Sequence, residues 1–403
     1  MPRKKPQLFA DDQAPLREPF GLSPYARGCA DVRSMSIVGT RRERRVRVRG
    51  RCDENAGVYG FVNEAHELIY VGMSTNLRKR LLTYFSSAQR RSKEARIAGR
   101  SRQLLWQTAV HPLLARLREL ELIRRFRPAY NVEGHPWRMQ EAFVVLVDND
   151  APWFRLQKQP PKHSLGMWGP IPLNRRTRAA VNDLNMYFRL RDCPLGTKMH
   201  FANQGPLFPD DLSTSCLRAD TQTCLAPCIG QCSQREYAAA IRAASQFLSG
   251  EPSVVLELLT EQMRAASLDQ KFERAGRLRD MRTSLERLDQ HLRRFHDWMA
   301  QSTFVYPVKG VSGFDEHWLV VVRGAVREVF KAPSSAEQQQ HVLSQLTSFA
   351  QNPDAEGTAL RLTTNHFQVA RVVYRWFRKY PETRKRCWTL RQAIANCRRR
   401  RVA

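Results

Sequence analysis

Two short runs, Val58 to Val62 and Leu68 to Val71, mix β-branched, aromatic and aliphatic residues on either side of the polar quartet Asn63, Glu64, Ala65 and His66. That alternation predicts a β-hairpin with the quartet as its loop, which sets Tyr59 directly opposite Tyr70 on one face. Ser74, Thr75 and Asn76 then offer N-caps for a helix through LRKRLLTYF, whose Leu77, Arg80, Leu81 and Tyr84 share one inward face. An arginine on an apolar face needs an anionic partner, because an unpaired buried guanidinium is costly, and phosphate is one such partner. A second helix, PLLARLRELELIRRF, begins at Pro112 as its first position and runs to about Phe126. Winding it at about 100° per residue sets Glu119 beside Ile123 and Phe126, with Glu121 on the opposite side. A carboxylate in such surroundings must be paired, protonated or bound to a metal.

Further along, the mixed runs FVVLV (143–147) and MWGPIPL (167–173) precede a helix ending in FRLRDC, a stretch without chemistry of its own. Ser233 and Glu236 form a capping box that opens another helix. Leu278, Met281, Leu285, Leu288, Leu292, Phe295 and Met299 come next in alternating steps of three and four, an apolar seam. The seam is long for a two-helix hairpin, so part of it should be free for a partner or the next domain. TFVYPV, HWLVVV and AVREVF then read as an antiparallel meander with Arg323 and Gly324 near a turn, and the remainder is helical and basic to the terminal RRRR.

Composition adds a partner and a redox state. The 403 residues allow two to four domains, and 66 Lys and Arg against 38 Asp and Glu give a net charge of +28. A polyanion is the natural partner, nucleic acid ahead of a membrane surface. Residues 1–50 carry Pro, Arg and Lys without a sustained apolar period and read as a basic flexible arm, with TRRERRVRVRGR as its densest charge run. The chain shows no apolar run long enough to span a membrane and no signal-peptide pattern, so a cytoplasmic, nucleoid-associated location is expected. Nine cysteines, an odd number, favour reduced thiols or metal ligands over a disulfide framework. Cys193, Cys216, Cys224 and Cys228 are separated by 22, 7 and 3 residues, with Cys232 one turn on. Such a cluster suggests a tetrathiolate site, and spacing does not choose its metal.

GVY and YVG, with tyrosines eleven residues apart, resemble the GIY-YIG nuclease signature, and the chain from about residue 55 to 300 resembles the N-terminal half of UvrC. ELELIRRFRPAYN (119–131) resembles its glutamate helix and asparagine turn; WGP, LRDC and CLAPC resemble its middle segment; LLTEQMRAASLDQKFERAGRLRD (258–280) resembles its UVR motif. The first cysteine gap, holding GTKMHFANQGPLFPDD, is longer than usual for the family. Nothing resembles the second nuclease half or paired helix-hairpin-helix modules, which brings the chain nearer the short homologue called Cho. The resemblance implies an α+β protein: the arm at 1–50, a GIY-YIG domain with a small antiparallel sheet at 51–134, a linker at 135–192, the cysteine site at 193–232, the UVR-like hairpin at 233–300 and a basic α+β region at 301–403.

The same resemblance implies a metal-dependent DNA endonuclease of nucleotide-excision repair that cuts on the 3′ side of a lesion. Its catalytic set would be Tyr59, Tyr70, Arg80, Tyr84, Glu119 and Asn131, with Mg²⁺ or Mn²⁺ on Glu119. One tyrosine would position or deprotonate the water and the other hold it or the phosphate. A phenol titrating near 10 is a poor base, so neighbours are expected to lower that value. The four cysteines would hold a 4Fe-4S cluster, with Zn²⁺ as the alternative. A UvrB-like protein would dock through Phe272, Leu278, Met281 and Leu285. One departure stands out: Met73 replaces a lysine usual in the family, a missing cation that could slow the chemistry, be replaced by Lys79 or Arg78, or mark a decayed enzyme. A non-catalytic DNA-binding adaptor that docks on the same partner is the rival reading.

Overall fold

The computed structural model describes residues 20–23, 25, 31–86, 92–131, 141–158, 164–194, 196–202, 216–251, 254–310, 313–351 and 364–401. The chain divides into two units, Met1–His135 with Met299–Ala403, and Pro136–Trp298.

The first part of the first unit runs β1 (Arg33–Ser36), α1 (Arg41–Arg51), β2 (Gly57–Val62), β3 (Leu68–Ser74), α2 (Leu77–Tyr84), α3 (Lys93–Gly99), β4 (Gln103–Thr108) and α4 (Pro112–Phe126). Its antiparallel sheet has the order β1-β4-β2-β3. One face of the sheet covers Val48, Leu77, Leu81, Tyr84 and Trp106, and the other covers Phe20, Leu122 and Ile123. The expected flexible arm is therefore corrected from residue 31 onward. β1 forms the outer strand, and α1 is capped by Thr40, whose hydroxyl accepts the Glu43 amide while Glu43 accepts the Thr40 amide. The buried apolar residues there are only Met35, Ile37 and Val48, too widely spaced to show a period amid arginines.

The hairpin register also differs from the sequence expectation. Tyr59 faces Gly72 and Phe61 faces Tyr70, with a register step between Phe61 and Val62. The cause is the loop: Asn63 pairs with Glu67 through both backbone and side chain, and His66 takes a left-handed φ of 58°. This tightens a turn over 63–66 and leaves one residue more than the quartet between the strands. The shift is two positions, so side-chain parity survives and Tyr59 and Tyr70 remain diagonal neighbours on one face.

The second unit contains β5 (Glu141–Leu146), β6 (Phe154–Gln157), β7 (Gly166–Pro172), α5 (Arg175–Tyr187), the single turn α6 (Leu217–Asp220), α7 (Gln234–Leu248), α8 (Val255–Leu268) and most of α9 (Phe272–Gln301). The stretch read as a linker is a folded sheet of order β6-β5-β7. Phe154, Trp168, Leu184, Tyr237, Phe247, Leu259, Leu285, Leu288 and Leu292 form one core, so sheet, α5 and the helical hairpin fold together.

The first unit is completed by the antiparallel meander β8 (Phe304–Lys309), β9 (Glu316–Val322) and β10 (Ala325–Lys331), followed by α10 (Ala336–Gln351), α11 (Thr364–Lys379) and α12 (Leu390–Arg399). Arg323 and Gly324, at φ 47° and 76°, make the turn between β9 and β10. This region packs on the first part: the His111 ring lies 5.4 Å from Tyr306 and 5.0 Å from Trp376, and Arg124 of α4 bonds Gln368 of α11.

Candidate active site

Three tyrosines and one arginine converge on the α2 side of the hairpin. The Tyr59 hydroxyl lies 3.0 Å from the Tyr84 hydroxyl and accepts the Arg80 Nε–H at 3.1 Å. Tyr59, Tyr70 and Tyr84 have ring centroids 5.8 to 6.2 Å apart, and the Arg80 guanidinium sits 5.2 Å over the Tyr84 ring. The geometry arises locally from the sequence. β2 and α2 both point these side chains inward, and Asn76 fixes the start of α2 by accepting the Lys79 amide at 2.8 Å. Gly72 leaves the space into which the Tyr59 ring folds, since a Cβ there would lie 2.5 Å from the Tyr59 hydroxyl.

Tyr59 and Tyr84 are buried, and Tyr70 is half-exposed. Burial first raises both hydroxyls above their ordinary value; Tyr70 adds to the rise at Tyr59, and Tyr59 and Tyr70 add to it at Tyr84, against lowering by Arg80 and, at Tyr59, by the hydrogen bond from Tyr84. The expectation that neighbours lower it is thus corrected for Tyr59: removing a phenol from water costs the anion more than one guanidinium returns.

Glu119 is buried on α4. Its Oε1 accepts the Met73 amide at 3.1 Å and its Oε2 pairs with Arg116 at 2.6 Å. The carboxylate is therefore tied to β3, one residue past Gly72, and carries a cationic guanidinium that is itself 40% exposed. Asn131 reaches the free edge of β3, accepting the Val71 amide at 2.8 Å and donating to the Val71 carbonyl at 2.7 Å. Its side-chain hydrogen bonds go to Val71 and not to the tyrosines, fixing the strand between Tyr70 and Met73.

Two residues of the site were missed by sequence reasoning. α3, capped by Ser92, sets the Lys93 ammonium 5.1 Å over the Tyr70 ring and Glu94 3.4 Å from Arg80. The Ser-Lys-Glu run marks a helix start but says nothing about what that helix faces. Of the two cations expected to stand in at Met73, Arg78 is committed to Glu54 and the Cys52 carbonyl, and Lys79 is exposed.

In the second unit Cys193, Cys216, Cys224 and Cys228 all line one cavity of about 330 Å³, with Arg191, Lys198 and Arg218 among its walls. Burial first, and the other three thiols after it, hold Cys228 above the ordinary thiol value. Cys232 is instead buried in the core. Among the described residues no three His, Cys, Asp or Glu side chains converge as a ready-made site for a single ion. Residues 203–215, most of the long first gap, lie outside the described residues. At the hairpin tip Leu268 and Phe272 are 85% and 69% exposed. Leu278 and Met281 are partly buried against the core and Leu285 is fully buried, so Leu285 is corrected from a partner contact to a core residue.

Residues 55–132 match the UvrC-like GIY-YIG domain, 143–247 the middle domain of the UvrC/Cho excinuclease and 253–288 the UvrB/uvrC motif. Similar proteins include the UvrABC system protein C of Ectopseudomonas mendocina, 29% identical over 242 residues, and that of Alkalilimnicola ehrlichii, 31% identical over 245 residues. Each alignment covers 59% of this chain and 37% of the relative, so the chain spans little more than a third of their length. The GIY-YIG N-terminal endonuclease domain of UvrC from Thermotoga maritima, bound to its catalytic magnesium, is 30% identical over 21% of this chain and 97% of that one, with a TM-score of 0.20. No helix among the described residues is long and apolar enough to cross a membrane.

Proposed function

This chain carries, in order, the GIY-YIG, middle and UVR domains of the UvrC family, and from that premise we propose that it is a DNA endonuclease that makes the 3′ incision of nucleotide-excision repair. The observation that carries the reading is the single cluster of Tyr59, Tyr70, Tyr84 and Arg80 beside a strand whose next residue anchors Glu119.

Hydrolysing a phosphodiester requires an oriented water and a sink for charge on the phosphate. Tyr59, buried and held neutral, serves as a positioner whose oxygen is fixed by Arg80 and Tyr84. Tyr70, the more open of the three phenols, is the one that meets the attacking water, with the Lys93 ammonium over its ring. Arg80 exchanges its long contact with Glu94 for the phosphate, where a guanidinium gives paired charge-assisted hydrogen bonds. Glu119 fits a divalent cation, because its carboxylate is oriented by Met73 and Arg116 already stands on it as a substitute cation. When bound, Mg²⁺ or Mn²⁺ supplies Lewis-acid stabilisation of the phosphate charge. Asn131 keeps β3 in place under all of these groups.

The four cysteines support a tetrathiolate centre in the middle domain. Their side chains ring a cavity of about 330 Å³. Of the two centres four thiolates can hold, we propose the iron-sulfur cluster on the family resemblance, with zinc as the alternative. Anaerobically purified protein should be brown, and a colourless protein with stoichiometric zinc overturns the assignment. The exposed pair Leu268 and Phe272 supports docking of a UvrB-like partner at the hairpin tip.

The test of the reaction is nicking of a lesion-bearing duplex with Mg²⁺ or Mn²⁺ and a UvrB-like partner, wild type against Glu119→Gln. The wild type should cut on the 3′ side, and the variant should be slower by about 10³-fold. If both bind the duplex and neither cuts, the adaptor reading replaces this one, with Met73 in place of a lysine as its first cause.

A further inference from the structure

We propose that α1, which lies ahead of the three matched domains, holds the phosphate backbone of duplex DNA beside the tyrosine cluster without reading its sequence. Its residues, RRERRVRVRGR, carry seven arginines and one acid, and the arginines divide into two sets. Arg44, Arg45 and Arg47 fix the helix. The Arg44 guanidinium lies 5.9 Å from the centroid of the Phe85 ring, and Arg45 donates to the Leu82 carbonyl of α2 at 3.2 Å. Arg47 donates to the Ser36 and Val38 carbonyls, at the end of β1 and just past it. Arg41, Arg42, Arg49 and Arg51 are exposed and have no carboxylate partner among the described residues. The acids nearest in sequence are engaged elsewhere: Glu43 with the Thr40 amide, Asp53 with Arg33 and Glu54 with Arg78.

Helix stability does not account for the second set. Arg41 and Arg42 stand in the first turn, where the helix dipole disfavours cations, and Arg41, Arg45 and Arg49 repeat at i, i+4, where like charges repel. Arg44 is lowered by burial first and by Arg47, Arg102 and Arg41 after it, a repulsion that a bound anion relieves. The position of α1 suits the site. Val48 shares one core with Tyr59, Leu81 and Tyr84, so α1 lies on the sheet face that carries the tyrosine cluster. Winding α1 at about 100° per residue sets Arg42 and Arg49 on the side of Arg45, which faces α2, and Arg47 on the opposite side, which faces β1. On α2 the exposed Lys79 stands one turn before Leu82 and next to Arg80, so positive charge runs from α1 over α2 to the arginine of the site. Packed helices have axes about 8–10 Å apart, a span that about three nucleotides of one strand cover. A membrane surface is the poorer partner, because α1 turns its apolar side, at Val48, into the core. The identity of the polyanion rests on the incision reading; the surface itself does not.

The experiment measures binding and is independent of cutting. Full-length protein is titrated onto labelled, undamaged duplex in EDTA over a series of KCl concentrations. Wild type is compared with Arg41→Gln/Arg42→Gln/Arg49→Gln and with a control of equal charge change at exposed positions of the other unit, Arg235→Gln/Arg242→Gln/Arg264→Gln. The slope of log K against log salt should fall by about 2 to 3 in the α1 variant, at about 0.9 per lost phosphate contact, and by less than about 1 in the control. Because Arg41 and Arg42 oppose the helix dipole, the thermal midpoint of the α1 variant should be unchanged or raised, which separates lost contacts from lost folding. An unchanged slope in the α1 variant, or an equal fall in the control, overturns the proposal. So does a lowered midpoint with duplex binding intact, and so does loss of binding to anionic lipid vesicles or single-stranded RNA while duplex binding is kept. Nicking in Mg²⁺ is scored separately: a wild type that does not cut, with the slope difference present, removes the incision reading and leaves the α1 surface standing.

Discussion

Gly72 stands across the hairpin from Tyr59, whose hydroxyl is within 2.5 Å of where a Cβ would be. Gly72→Ala must therefore push the Tyr59 ring away from Tyr84 and Arg80. The expected outcome is a loss of about 1–3 kcal/mol in urea unfolding, as for overpacked cores, together with loss of nicking. A variant that keeps both would show that the tyrosine cluster tolerates displacement. At this scale the sequence was informative about residue type and face. Tyr59, Tyr70, Arg80, Tyr84 and Glu119 were legible because each is a polar group among apolar neighbours at a regular spacing, which parity alone places. What was not legible depends on the loop: one extra residue and a left-handed His66 moved the register by two. Nor did the sequence show that burial raises the Tyr59 and Tyr84 hydroxyls, since that depends on how much protein surrounds them.

Among the elements, α9 passes from buried support to an exposed tip along a single helix. Leu285 is buried beneath the sheet and helices of its own unit, whereas Phe272 stands exposed at the tip. Leu285→Ala should cost about 2–5 kcal/mol of stability as measured by denaturant unfolding. Phe272→Ala should stay within about 0.5 kcal/mol in the same assay and yet weaken binding to a UvrB-like partner at least tenfold. Equal affinity for wild type and Phe272→Ala would remove the tip from recruitment. The heptad spacing revealed that α9 has an apolar face; it could not reveal that β5, β6, β7 and α5 help to cover that face, because their short mixed runs carry little periodicity. The same limit hid β1 and α1, whose three buried apolar residues are scattered through a run of arginines.

For the whole molecule, pH acts through histidines that folding buries. His111 and His366, both in the first unit, are lowered to about 4, His111 by burial and His366 by burial first and Arg327 next. The unfolded chain, with histidine near 6.5, binds protons that the folded chain refuses. Stability from these residues is therefore complete above about pH 6.5 and is lost as pH falls toward 4. Thermal unfolding of the full chain should show that decline. His111→Asn, which preserves an N-cap acceptor for α4, should flatten it, and an unaltered pH slope would exclude His111 as a source.

The packing of His111 between Tyr306 and Trp376, with Arg124 joined to Gln368, also bears on how transferable the N-terminal domain is. A domain that borrows part of its wall from the far end of the chain is not a cassette. Cut out at its sequence boundaries, it would bare an imidazole and the side of a helix that were folded against a neighbour, and it would enter a fusion or a recombinant already incomplete. A substitution along β8 or α11 that disturbs this seam should therefore be felt at α4 as well.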